Sequence, residues 1–166
     1  MKRLWAPWRM EYILKNSKKK EGDKSCIFCN GVPSREDDEK SFILYKGDNS
    51  SVRLNIYPYT SGHLLVYPKR HTALLEDLPE DELRDLSFTL SRSVAILKRA
   101  LNPEGFNIGM NLGKIAGAGI LDHLHWHIVP RWVGDTNFMP SIGDTMVMPE
   151  HLKETFKRLS AYFYEF

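Results

Sequence analysis

The chain has 166 residues, of which 42% are hydrophobic and 27% are charged. This length suits one globular domain, and the balanced composition excludes disordered, collagen-like and coiled-coil proteins. The net charge is only +2, so no overall basic field favours a nucleic-acid partner. No apolar run reaches the roughly 20 residues that cross a bilayer, and the N-terminus lacks an apolar signal segment. We therefore expect a single soluble, cytoplasmic domain over residues 1–166 that binds neither nucleic acid nor membrane.

The chain begins with an aromatic segment over residues 4–13, which includes Trp5 and Trp8. Such rings more often pack or anchor an interface than stack on a ligand, so we expect an N-terminal arm here. Residues 15–24 are rich in Lys and are typical of an exposed linker, or of a basic arm near an anionic ligand.

The pair Cys26-Ile-Phe-Cys29 follows the linker and lies between turn-forming residues. A redox pair of the thioredoxin type opens a helix after a strand, so this context favours a zinc knuckle. Structural zinc takes four ligands and the chain has only two cysteines, so two histidines must complete the site. His71, which follows a predicted strand, and His123 are the candidates. A reduced pair without metal is the alternative.

Three short apolar segments, residues 41–46, 52–57 and 63–67, are separated by turn residues and predict a strand meander. A helix is predicted next. It opens at Pro79 with acidic residues in its first turn, carries leucines three and four residues apart, and ends near Arg99.

A fourth strand is predicted over residues 106–111, and a glycine-rich loop over residues 113–119 leads to a fifth strand over residues 123–130. Pro130 is expected to end the fifth strand, and a second helix follows from Pro149. This order predicts an α+β fold with a five-stranded antiparallel sheet, one long helix and a C-terminal helix.

The most informative segment is His123-Leu-His125-Trp-His127-Ile-Val-Pro130. On a strand, residues two apart share a face, so the three imidazoles would form a row opposite an apolar face. The first and third histidines would then lie about 13 Å apart, which makes one metal bound by all three awkward. Two alternatives are open for the row. It could be the polar outer face of a sheet, or it could hold a metal ion that catalyses hydrolysis. Three histidines within five positions favour a catalytic role.

Gly113, Gly117 and Gly119 precede the histidine row and let backbone N–H groups approach an anion closely. An imidazole beside such an anion can attack phosphorus. Glycines alone indicate only a flexible turn, but together with the histidines they favour phosphoryl or nucleotidyl transfer. We predict that His125, in the middle of the row, is the nucleophile.

The pattern His-x-His-x-His-x-x-Pro resembles the motif of the histidine triad (HIT) family of nucleotide hydrolases and transferases, over residues 41–132. Residues 130–138 and the N-terminal Leu-Trp-Ala-Pro-Trp-Arg are similar to its bacterial branch of diadenosine tetraphosphate phosphorylases and hydrolases. The resemblance implies a homodimer that cleaves dinucleoside polyphosphates through a histidine-nucleotidyl intermediate, with water or phosphate as acceptor. A purine nucleoside phosphoramidase and a nucleotide-binding regulatory protein are the alternative functions.

The resemblance also implies roles for single residues. His125 would attack the α-phosphate, His127 would hydrogen-bond near that phosphate, and His63 would support the site. Asn55 would contact the ribose, and Asn111 would lie near the scissile bond or the phosphate.

Two further expectations come from the resemblance. Many family members have polar side chains three and four residues before the first histidine, where this chain has Gly119 and Ile120. Backbone amides, including those of Gly117 and Gly119, would therefore bind the nucleotide phosphates. Zinc-binding relatives use two cysteines, a histidine in the loop after the third strand and the first histidine of the row, which implies a structural zinc ion on Cys26, Cys29, His71 and His123.

Overall fold

The structure is a computed structural model that describes residues 26–29, 41–135, 147–164 and 166. The predicted N-terminal arm with Trp5 and Trp8, and the linker over residues 15–24, lie outside the described residues. Among those that are described, the elements follow in the chain order β1 (Ile43–Lys46), β2 (Ser50–Leu54), β3 (Leu64–Pro68), a short 3-10 helix (Leu75–Asp77), α1 (Glu80–Leu101), β4 (Gly105–Met110), β5 (Trp126–Arg131) and α2 (Leu152–Phe163).

The strands form one sheet in the spatial order β1-β2-β3-β5-β4, and every neighbouring pair is antiparallel. Short connections join β1 to β2 and β2 to β3, whereas α1 separates β3 from β4. The α+β class, the five antiparallel strands, the long helix and the C-terminal helix agree with the prediction. In the part of the chain that the structure describes, β4 is an edge strand and β5 lies between β3 and β4.

The second strand ends earlier than predicted, at Leu54 rather than Tyr57. Asn55 starts a turn because its side-chain Oδ1 accepts a hydrogen bond from the backbone N–H of Tyr57 at 3.0 Å. An Asn side chain that bonds the backbone two residues on takes the place of a ladder hydrogen bond. The segment over residues 55–57 is therefore a turn that leads toward β3.

The fifth strand also differs from the prediction, since it spans Trp126–Arg131 rather than residues 123–130. The backbone N–H of Leu124 bonds to the carbonyl of Thr72 at 2.7 Å, which is outside the ladder with β3 and β4. Pro130 does not end the strand but lies within it, opposite Phe106. It can do so because β3 pairs with β5 only as far as Ile128, so β3 requires no N–H from position 130. The Pro130 carbonyl accepts from the Thr60 hydroxyl at 2.8 Å.

Both helices contact the sheet, and one core lies between them and one sheet face. The apolar face of α1 follows from the three- and four-residue spacing of its leucines, and the helix ends where Asn102 adopts a left-handed conformation. Fully buried core residues come from β2, β3, α1, β5 and α2: Leu54, Leu64, Val66, Leu97, Ile128 and Leu159. Leu65 and Tyr67 of β3 point to the other face, where they form a second cluster with Phe28.

Neither α1 nor α2 is long and apolar enough to span a membrane, and the same holds for every helix among the described residues.

Candidate active site and metal group

The histidine row lies on the sheet face opposite the helices. His127 pairs with Leu65 of β3, whose side chain belongs to the second cluster. His125 lies before β5, yet its ring continues the row, with its centroid 5.0 Å from that of His127. Leu124, Trp126 and Ile128 alternate with the histidines and belong to the main core. The predicted division into an imidazole face and an apolar face is thus present, although only His127 lies in a strand.

A backbone carbonyl orients the imidazole of His125. Its Nδ1 lies 2.9 Å from the carbonyl oxygen of His123. A carbonyl can only accept, so Nδ1 carries the proton and Nε2 keeps its lone pair. Burial lowers the pKa of His125, and the hydrogen bond to His123 offsets part of this effect. The side chain is therefore a neutral imidazole at pH 7, with Nε2 available as a nucleophile or base.

A second hydrogen bond orients His127. His63 Nε2 lies 2.9 Å from His127 Nδ1, and His63 Nδ1 lies 3.1 Å from the backbone nitrogen of Tyr59. The backbone N–H can only donate, so His63 Nδ1 accepts and its Nε2–H donates to His127 Nδ1. His127 must then carry its proton on Nε2. A chain of three groups thus makes the Nε2 of His127 a hydrogen-bond donor.

His63 stays neutral in this series of hydrogen bonds. Burial above all, and then the positive charges that His127 and His125 can carry, lower the pKa of His63 to about 3. The ring of Tyr59 lies over it with the centroids 4.7 Å apart. An imidazole of such low basicity serves as a fixed hydrogen-bond relay and not as a charge.

The remaining residues predicted to bind nucleotide border this face or lie in the loop that precedes the row. Asn55 Nδ2 lies 3.3 Å from His63 Nδ1, so this side chain contacts the hydrogen-bonded pair of His63 and His127. Asn111 directly follows β4, and its Nδ2 donates to the carbonyl of Gly117 at 3.5 Å. Gly117 has a φ of +93°, which glycine adopts without strain. Gly119 is exposed in the same loop.

The four predicted metal-binding residues meet at one end of the row. Cys29 Sγ lies 3.1 Å from His71 Nδ1 and 3.4 Å from His123 Nδ1, and Cys26 Sγ lies 3.3 Å from His123 Nδ1. All four ligand atoms lie within 4.8 Å of one another. The cysteine pair itself forms a turn, in which the Cys29 N–H donates to the Cys26 carbonyl at 3.2 Å.

The chemistry of this metal group suits a thiophilic cation. His123 Nε2–H donates to the carbonyl of Pro68 at 2.8 Å, which leaves the Nδ1 lone pair directed at the thiols. In a tetrahedral zinc site a sulfur and a nitrogen ligand lie about 3.5 Å apart, close to the distances found here. Without a cation, burial and the neighbouring Cys26 raise the pKa of Cys29 to about 11, so the Cys29 thiol stays protonated. A bound metal would reverse this, because cysteine binds metal as the thiolate. These four residues could hold a metal ion.

Sequence analysis missed Arg53 and Tyr59. Arg53 is buried in β2, and its guanidinium donates to the carbonyls of Ile27 at 3.0 Å and Ser41 at 2.9 Å. It thereby ties the cysteine turn to the sheet. Its signal in the sequence is a lone charged residue within an apolar strand. Tyr59 acts through its backbone N–H, which leaves no signal.

The chain matches the HIT domain over residues 36–133. It belongs to the histidine triad family, whose members are nucleotide hydrolases and transferases. It is 38% identical to the AP-4-A phosphorylase of Mycobacterium tuberculosis, over 97% of this chain and 83% of that protein.

Two further relatives share the fold or the sequence. The adenosine 5'-monophosphoramidase HNT1 of Candida albicans is 33% identical over 64% of this chain and 70% of that protein. A zinc-bound histidine triad family protein from Mycobacterium smegmatis has a similar structure, with a TM-score of 0.64 and 28% identity over 85% of this chain and 94% of that one.

Proposed function

We propose that this protein transfers a nucleotidyl group from a dinucleoside polyphosphate such as diadenosine tetraphosphate, through a covalent intermediate on His125. The observation that carries the proposal is the hydrogen bond from His125 Nδ1–H to the carbonyl of His123, 2.9 Å long. It directs the proton away from Nε2, and burial keeps the ring neutral. A neutral, oriented imidazole is the form that attacks phosphorus.

In the first step, His125 Nε2 attacks the α-phosphorus in line. The bond from phosphorus to the bridging oxygen breaks, and ATP leaves with the electron pair of that bond. The Nε2–H of His127 donates to a phosphate oxygen, where negative charge develops. Backbone N–H groups of the glycine-rich loop, at Gly117 and Gly119, bind the remaining phosphate oxygens. Asn55 contacts the ribose and Asn111 lies near the scissile bond.

In the second step, an acceptor attacks the phosphorus of the nucleotidyl group and His125 leaves as a neutral imidazole. With inorganic phosphate as acceptor the product is ADP, and with water it is AMP. We propose phosphate, because the relative that matches 97% of the chain is named a phosphorylase. A phosphoramidase activity is the second candidate, because another relative is named an adenosine 5'-monophosphoramidase.

The metal group is proposed to hold one structural zinc ion on Cys26, Cys29, His71 and His123. Zinc would cross-link the cysteine turn to the loop after β3 and to the start of the row, and all four coordination positions would be filled by protein. His123 would then act through its backbone carbonyl and as a ligand, and not as an acid or base.

A homodimer, a cytoplasmic location and a single domain over residues 1–166 belong to the same proposal. The edge strand β4 supports the homodimer, because an exposed edge offers backbone groups for pairing with a second copy. Ile108 in this strand exposes 44% of its surface.

The test is product analysis after incubation with diadenosine tetraphosphate, with and without inorganic phosphate. ADP plus ATP, formed only with phosphate, is the expected result. AMP plus ATP without phosphate would make the enzyme a hydrolase. Mass spectrometry of the quenched reaction should detect adenylylated wild-type protein.

The matched variants for this test are His125→Ala and His151→Ala. The first removes the proposed nucleophile and should abolish turnover and adenylylation. The second removes an exposed histidine at the start of α2 and should leave both unchanged. A His125→Ala variant that still turns over would refute the intermediate. Wild-type protein that cleaves only adenosine phosphoramidates would support the second candidate, and nucleotide binding without turnover would indicate a regulatory protein.

A further inference from the structure

Phe28 connects the metal group to the proposed nucleophile. It lies between the two cysteines of the turn and is only 6% exposed. Its ring belongs to the small cluster with Leu65 and Tyr67, on the imidazole face of the sheet and apart from the main core. A phenylalanine inside a four-residue turn is expected to be exposed, so specific contacts must bury the ring of Phe28.

The ring of Phe28 contacts two histidines of the row. Its centroid lies 5.0 Å from that of His123 and 5.2 Å from that of His125. Tyr67 packs on it at 4.4 Å and so holds it against these rings. Phe28 thus forms an apolar wall beside His125, which also contacts the His123 carbonyl and the ring of His127.

One hydrogen bond does not hold an imidazole rigidly. The bond from Nδ1 to the His123 carbonyl fixes the tautomer of His125, but the ring can still tilt about that bond. A wall of close-packed atoms removes this freedom, because protein interiors leave little room for a side chain to move. Small displacements of a reacting group lower the rate strongly even when binding is unaffected.

The position of Phe28 in turn depends on the metal group. The described turn over residues 26–29 is held by the thiols of Cys26 and Cys29 and by the Arg53 guanidinium on the Ile27 carbonyl, as well as by Phe28 itself. A bound metal would replace the weak contacts of the two thiols with coordinate bonds. Metal binding at the turn would therefore determine how firmly the phenyl ring is held.

We propose that Phe28 is a positioning residue that couples metal binding at Cys26, Cys29, His71 and His123 to the orientation of the His125 imidazole. This inference rests on the proposed metal site, and it rests on the proposed nucleotidyl transfer only where it concerns turnover. The contact itself can be tested without any substrate.

The experiment measures the rate at which diethyl pyrocarbonate modifies His125, mapped by mass spectrometry at pH 7.5 on the metal-loaded protein. Phe28→Ala should raise this rate by about fivefold or more, since it opens one wall of a buried imidazole. Phe28→Leu restores an apolar side chain and should give a smaller increase. Phe88→Ala removes an exposed phenyl ring from α1, which packs on the opposite face of the sheet. It is the matched control and should change the rate less than about twofold.

Metal dependence is tested on the same samples. Removing metal from the wild type with a chelator should raise the His125 modification rate to about the level of Phe28→Ala, and chelation of Phe28→Ala should add little further, because both changes act on one contact. Metal analysis must give the same metal content in Phe28→Ala as in the wild type. A variant that has lost its metal, or a rate of His125 modification that is unchanged by Phe28→Ala, would overturn the proposal.

Turnover provides a separate readout if the proposed function holds. Phe28→Ala should lower kcat between about 10-fold and 100-fold and change KM little, because the residue orients the nucleophile and does not touch the substrate. If the wild type turns over no nucleotide at all, the proposed function fails while the modification rates still decide the role of Phe28. A fall in kcat/KM that comes entirely from KM would overturn the positioning role.

Discussion

His63 and His127 are 64 residues apart in the sequence, and their imidazoles are joined by a hydrogen bond of 2.9 Å between Nε2 and Nδ1. The backbone N–H of Tyr59 determines the direction of this bond, because it can only donate to His63. A main-chain amide therefore decides which nitrogen of His127 carries a proton. This relation connects the turn after β2 with the strand that carries His127.

Two replacements of His63 should distinguish the contribution of its hydrogen bonds to catalysis from that of its packing. His63→Leu removes the donor to His127, so that neither tautomer of His127 is selected, and kcat should fall by about 100-fold. His63→Gln can accept from Tyr59 with its carbonyl and donate to His127 with its amide, so it should stay within about tenfold of the wild type. Steady-state kinetics on diadenosine tetraphosphate measure both. Equal losses in the two variants would contradict the relay.

The low pKa of His63 predicts a pH-dependent stability. Its pKa is about 3 in the folded protein against 6.5 ordinarily, so between these values only the unfolded chain binds a proton at this position. Protons then favour unfolding, and the free energy of unfolding falls as pH decreases from 6.5 toward 3, by at most about 1.4 kcal/mol per pH unit from this group.

His63→Gln is the matched comparison for this effect, because glutamine cannot titrate and every other side chain is the same in the two proteins. Urea unfolding at about pH 6, 5 and 4 should show a steeper loss of stability in the wild type than in the variant. Parallel losses in the two proteins would show that His63 binds its proton equally well when folded.

Loss of one thiol should remove the metal and destabilise the fold. Cys26→Ser leaves three ligands, and we expect the zinc content to fall from about one per chain to near zero. The unfolding midpoint should fall by about 6–12 °C, which corresponds to about 3 kcal/mol in a chain of this size. Metal analysis of protein purified without chelator and calorimetry measure both quantities. His151→Gln, at an exposed histidine, is the control, and wild-type protein that lacks zinc would refute the structural ion.

Gly62, which directly precedes His63, should not tolerate a side chain. Its φ is +77°, and a Cβ there would overlap the end of the Leu101 side chain and lie 3.4 Å from Leu97 Cδ2. Gly62→Ala should therefore lower the free energy of unfolding by about 1–3 kcal/mol. Gly105→Ala is the control, since no atom lies within 4 Å of a Cβ at Gly105. Denaturant unfolding measures the difference, and equal stabilities of the two variants would contradict this account.

Local patterns in the sequence predicted the elements correctly but not their ends. The spacing of the leucines predicts α1, because burial on one side of a helix needs that period. The end of β2 and the start of β5 depend on single hydrogen bonds, from Tyr57 to Asn55 and from Leu124 to Thr72. Such bonds do not follow from hydrophobic patterns. Pro130 fits inside β5 because the ladder with β3 ends at Ile128, which the sequence does not reveal.

The sequence by itself determined the class of chemistry: two-residue spacing places His123, His125 and His127 on one face, and two cysteines three apart call for ligands from elsewhere in the chain. Only the tertiary structure decided the tautomers of these histidines and the contact of Phe28 with His123 and His125. The reason is physical, because a tautomer depends on donors and acceptors that meet through folding. Folding of the sheet brings Tyr59, His63 and His127 into contact. It also places the turn over residues 26–29 against His125. These segments come from parts of the chain that share no local pattern.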